Sequence, residues 1–202
     1  MENISMIYLA VFDFVPNIAF LIGAYFLVRI AYMVRGKNCG ILVIAGAFLI
    51  LLGGFMQATW KLLYTTDTAD IRLMSNVQFI LLAPGFVILL IAVILIARRS
   101  GKRINPPLLA VASWKLPFLI VMVIASLIAQ GMLAYVSFRR HAYAAGVGFV
   151  VAFVCLLSMG GMAGSEQTIT QQWAEESVNA IAQIAFVVGS YLLYRDFKAH
   201  AC

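Results

Sequence analysis

Runs of roughly twenty apolar residues recur along this 202-residue chain, and that pattern constrains its fold more than any other feature. At 1.5 Å per residue, such a run in helix spans about 30 Å, the depth of a bilayer's hydrocarbon. Composition agrees: 64% of residues are hydrophobic, 11% are charged and the mean hydropathy is +1.00. A soluble domain usually carries about 25% charged residues, so there are too few charges here to clothe a globule. The chain reads as an integral membrane protein whose outer faces meet the lipid bilayer.

Six spans are expected, running from Ile7 to Val34, Gly40 to Tyr64, Leu73 to Ala97, Leu116 to Phe138, Ala142 to Ala163, and Trp173 to Tyr194. Without water in the membrane core, each backbone must satisfy its own hydrogen bonds, and unbroken apolar runs do so as helices. Alternation of period two is absent, which argues against a membrane β-barrel. The fold class is therefore all-α: a polytopic bundle of six transmembrane helices. Trp60, Trp114 and Trp173 all fall at expected span ends, where an amphipathic ring suits the headgroup region. Glu2 and Asp13 stand where a cleaved leader would be basic, so the first run reads as a retained helix.

The chain divides into two halves within one membrane domain. Residues 1–103 hold three helices. Residues 104–202 hold a short interfacial segment after Pro106-Pro107, then three more. The halves echo each other. Gly53-Gly54 late in span two matches Gly160-Gly161 late in span five, each is followed by an acidic loop, and Asn76 and Gln78 match Asn179 and Gln183. Three-helix units joined in series have opposite orientations, so an inverted repeat of the kind found in transporters is expected. Basic residues of the first half (Arg35, Lys37, Arg98, Arg99, Lys102, Arg103) then share one side, while Arg139, Arg140, Arg195 and Lys198 fall on the other. The denser cluster favours a plasma-membrane protein with both termini outside.

The net charge of +6 does not point to nucleic acid, because the 14 Lys and Arg gather at the ends of apolar runs. Cys39, Cys155 and Cys202 have no metal-ligand spacing, and Cys155 reads as a small hydrophobe inside a span. His141 and His200 sit beside basic residues at expected membrane edges. No nucleophile, metal or cofactor motif is present. A non-enzymatic protein without cofactors is expected.

Polar residues inside apolar runs are costly and so carry the functional signal. Asp13 and Asn17 share a helix face four residues apart, as do Gln57 and Lys61, and all four fall in the leaflet of Asn76 and Gln78. An Asp13–Lys61 ion pair flanked by amides is expected. Glu176, Asn179, Gln183 and Ser190 form a stripe along span six, with Gln130 of span four as its expected partner. Pro84-Gly85 marks a point where span three can kink or open. Gly160 with Gly164, and Gly46 with Gly53, signal close helix contacts. These features fit a small-solute or ion transporter with an intramembrane polar path. They also fit a non-catalytic subunit whose polar residues lock helices or bind a partner membrane protein, and a chain this small is expected to form a homodimer or join such a partner.

Overall fold

In the computed structural model, residues 2–98, 116–162 and 168–200 are described. They form α1 (Glu2–Phe12), α2 (Phe14–Arg35), α3 (Lys37–Thr65), α4 (Arg72–Ala97), α5 (Leu116–Arg139), α6 (Tyr143–Met162) and α7 (Ile169–Ala199), with no strand among the described residues. Five segments are long and apolar enough to cross a membrane, and Tyr143–Met159 is a shorter apolar helix. Each expected span is thus a helix, and the protein is an all-helical integral membrane bundle.

α1 and α2 belong to one apolar run, Ser5–Arg35, interrupted at Asp13. The cause is Pro16, which has no N–H to offer the Phe12 carbonyl four residues back. The Asn17 side chain steadies the interruption by donating to the Asp13 carbonyl at 2.9 Å. Pro84, by contrast, lies inside a helix that runs unbroken from Arg72 to Ala97, so α4 does not open at Pro84-Gly85. α7 starts at Ile169, and its N-cap Thr168 accepts from the Gln171 amide at 3.2 Å. Trp173 consequently lies a turn inside the helix.

The helices form a ring in chain order: each of α2 to α7 packs on its neighbours in sequence, and α7 closes onto α2. Lipid supplies no hydrophobic drive between helices, so the ring depends on close packing at small residues. Two crossings show this. A Cβ on Gly46 of α3 would come within 2.9 Å of Gly85 O and Leu89 N of α4. A Cβ on Gly148 of α6 would come within 3.1 Å of Ala185 O and of Gly189 in α7. The α3–α4 and α6–α7 pairs thus meet through glycines at corresponding places in the two halves. Gly53 packs on Gln78 and Leu82 of α4 as well. Gly164 of the other expected contact lies outside the described residues, as do Trp114, Glu166 and the expected interfacial segment.

The relation between the halves is not the inverted one. α7 runs parallel to α2: Trp173 packs against Phe12, Phe186 meets Gly23, and Tyr194 meets Arg29. The tight turn at Arg140–His141 sets the end of α5 beside the end of α7, where Arg140 binds Asp196. Arg35, closing α2, donates to the Leu95 carbonyl near the end of α4 at 2.8 Å. α2, α4, α5 and α7 therefore all point one way, with α3 and α6 reversed. The two three-helix units share one orientation, related by an axis along the bundle rather than across it. Arg98 and Leu116, the described residues that flank 99–115, therefore stand at opposite ends of the bundle, whereas spans three and four were expected to run antiparallel. α1 likewise starts at one end of the bundle, and α7 finishes at the other.

Charge divides along the same axis. Arg35, Lys37, Arg98, Arg139, Arg140, Arg195 and Lys198 lie at one end, here called the basic end. Among the described residues, every acidic side chain except Asp196 belongs to the opposite, acidic end.

Candidate functional site

The cavity lies in the acidic half of the ring, where α2, α4, α5 and α7 begin and α3 and α6 end. Its volume is about 380 Å³, and all six ring helices line it. Asp13, Asn17 and Phe20 come from the α1–α2 run, and Gly54, Gln57 and Lys61 from α3. α4 contributes Gln78, Leu82 and Phe86, and α5 contributes Met122 and Ser126. Leu156 and Met159 of α6 face Glu175, Glu176, Asn179 and Gln183 of α7. The polar groups thus come mainly from α2, α3, α4 and α7, and the apolar wall from α5 and α6.

Three charges tie the site together. Lys61 Nζ lies 2.5 Å from Asp13 Oδ2 and 2.8 Å from Glu176 Oε1. The side chains are 27%, 6% and 18% exposed respectively, so one ammonium bridges carboxylates from the first and last elements of the ring. Asp13 stands at the Pro16 interruption, and Lys61 stands one turn before the end of α3. Gly54 has no room for a side chain, because a Cβ there would run into the Asn17 amide oxygen. That close fit lets Asn17 reach back to the Asp13 carbonyl. Asp13 Oδ1 and Gln57 Oε1 are buried and have no hydrogen-bond partner among the described residues.

At the outer margin, Trp173 Nε1 donates to Ser5 Oγ at 3.3 Å, and Trp60 Nε1 donates to Asp70 Oδ1 at 3.2 Å. Toward the basic end the ring is filled. Leu27, Ile30, Val43, Val93, Ile96, Leu133, Val136, Phe149 and Leu193 are each almost wholly buried there. Phe20 stacks on Phe186 at 5.7 Å, and Phe186 meets Phe149 at 6.2 Å, which forms an aromatic layer beside this packed half.

Of the residues singled out from the sequence, Asp13, Asn17, Gln57, Lys61, Gln78, Glu176, Asn179 and Gln183 converge on this one cavity. The Asp13–Lys61 pair forms as expected. Glu176, assigned to a separate stripe, joins it instead. Ser190 continues the α7 stripe into the packed half, fully buried and with no partner for its hydroxyl among the described residues. Asn76 does not line the cavity and has an interaction of its own. Gln130 is not in the cavity wall either, and its Oε1 is buried without a partner among the described residues; the expected pairing with the stripe is not made. Glu175 and Ser126 were not singled out. The first already lies in the expected span from Trp173 to Tyr194, four residues before Asn179, and that spacing could have found it. Ser126 leaves no such signal.

No family model, curated protein or solved structure matches this chain.

Proposed function

We propose that this protein is a small-solute transporter, with the acidic-end cavity as its binding site. One observation carries the reading: a cavity of about 380 Å³, largely apolar but with charged and amide groups on one wall, lies between two three-helix units of like orientation and is backed by a packed apolar half. The volume falls in the range of small-molecule sites, about 300–1,000 Å³. Parallel repeats that enclose a site near mid-membrane are suited to alternating access by rocking one unit against the other. A purely structural polar cluster has no need of such a space, or of buried acceptors left unpartnered on residues that line it. The positive-inside rule puts the basic end in the cytoplasm of a plasma or inner membrane, with the cavity on the external side.

The test is cysteine accessibility. In a background with Cys39, Cys155 and Cys202 replaced by alanine, Ser126→Cys marks the cavity and Ser190→Cys marks the packed half. A transporter lets a membrane-impermeant thiol reagent reach Ser126→Cys from the acidic end, and Ser190→Cys from the basic end as the units rock. If Ser190→Cys resists the reagent from both sides while Ser126→Cys reacts, the packed half never opens. The protein is then a scaffold with a fixed polar pocket.

A further inference from the structure

The cavity's chemistry narrows what it can hold, on the reading that it is a binding site. We infer that it takes a small organic cation, a protonated amine carried on a short apolar body. The first ground is Asp13. Asp13 lines the cavity and is 6% exposed; one oxygen takes the Lys61 ammonium, and Oδ1 is buried with no partner among the described residues. A carboxylate oxygen only accepts, and a buried acceptor left unmet is costly. Its donor must therefore come from water or from a ligand. Gln57 Oε1 is a second buried acceptor in the same position.

The second ground is charge. Lys61 is the only cationic side chain among the residues lining the cavity, against Asp13, Glu175 and Glu176. Glu175 has an interaction of its own, and Lys61 is already held by two carboxylates. An anionic ligand would find no free cation, whereas a cation finds an excess of carboxylate. The third ground is the rest of the wall. Phe20 and Phe86 present rings whose faces attract cations, and Met122 and Met159 adapt to an apolar body.

The test uses the full chain in lipid nanodiscs and titrates n-butylammonium, n-butanol and butyrate by calorimetry. These probes share an apolar tail and differ in charge. Butylammonium is expected to bind at least about tenfold more tightly than either of the others, as one well-placed charge contact is worth about that factor. Asp13→Asn should weaken butylammonium by about tenfold or more. Lys61→Met should strengthen it, because two carboxylates lose their internal ammonium. Gln57→Leu, which disturbs no ion pair, should weaken butylammonium and leave butanol unchanged.

Equal binding of butanol, tighter binding of butyrate, or weakening by both Asp13→Asn and Lys61→Met would overturn the assignment. If no probe binds while Ser126→Cys and Ser190→Cys still label, the cation assignment fails and the transport path stands. If Ser190→Cys stays unreactive but butylammonium binds as expected, the transport reading fails and the cation site stands.

Discussion

Replacing Lys61 by methionine tests the centre of the site, because methionine matches the length of the lysine's aliphatic stem and lacks its ammonium. Asp13 and Glu176 are 6% and 18% exposed, and both contact Nζ within 2.8 Å. Without it, two carboxylates face each other across a space that water reaches only through the cavity. Removing one partner of a buried ion pair costs roughly 3–5 kcal/mol, because the remaining charge is left uncompensated. Lys61 is itself 27% exposed, so the lower figure applies, about 3 kcal/mol. That is a large share of the ~5–15 kcal/mol that holds a typical domain folded. Chemical unfolding in detergent micelles measures it. The triple variant Lys61→Met, Asp13→Asn, Glu176→Gln should recover most of the loss, since amides are tolerated where unpaired carboxylates are not. A cost below about 0.5 kcal/mol for Lys61→Met, with no coupling to Asp13, would refute the reasoning. The bridge would then behave as an exposed surface pair.

Two further substitutions and one topology measurement probe the frame around the site. Gly46→Ala places a methyl within 2.9 Å of backbone atoms on α4, so the helices must part, at a cost of about 1–3 kcal/mol. Gly131→Ala meets nothing within 4 Å and should be neutral or slightly stabilising by helix propensity, up to about 1 kcal/mol; thermal denaturation of the two variants side by side checks the contrast. Reporter insertions at Asp67, between α3 and α4, and at Thr168, just before α7, should locate both connections on one side of the membrane, with the two termini on opposite sides. Loops on opposite sides would refute the shared orientation of the halves.

The helices were legible because lipid leaves an apolar run only one way to satisfy its backbone. The Asp13–Lys61 pair was legible for a related reason: helical spacing fixes which face carries each polar group, and α2 and α3 are joined by a tight turn at Gly36, where φ is 78°. Glu176 joining that pair was not legible. Its approach depends on α7 closing the ring against α2, a contact between residues 115 positions apart that no local pattern encodes. Pro84 drew attention as a helix breaker and yet is accommodated within α4, whereas the interruption falls before Pro16. The difference lies in what the residues nearby can do. Asn17 reaches back to the Asp13 carbonyl, and Gly85, next to Pro84, is held against Gly46 and Ile50 of α3.

The orientation of the second half is where sequence reasoning went furthest astray, and the charges show why. Read as an inverted repeat, the chain puts Arg139, Arg140, Arg195 and Lys198 on the side opposite to Arg35, Lys37 and Arg98, which leaves the basic residues split and the positive-inside rule in conflict with itself. The conflict came from a single step, the reading of residues 99–115 as a loop along one face. Arg99, Lys102, Arg103 and Lys115 make that stretch too charged to score as an apolar run. With α5 parallel to α4, Arg139, Arg140, Arg195 and Lys198 fall at the same end as Arg35, Lys37 and Arg98, and the acidic residues other than Asp196 gather at the other end among the described residues. A charge distribution that contradicts itself under one topology and agrees under another favours the second. The cavity gains its character from the same reversal. Only with α2, α4, α5 and α7 parallel do the polar starts of α2, α4 and α7 and the Lys61 end of α3 meet at one end of the ring, and the packed apolar half falls at the other.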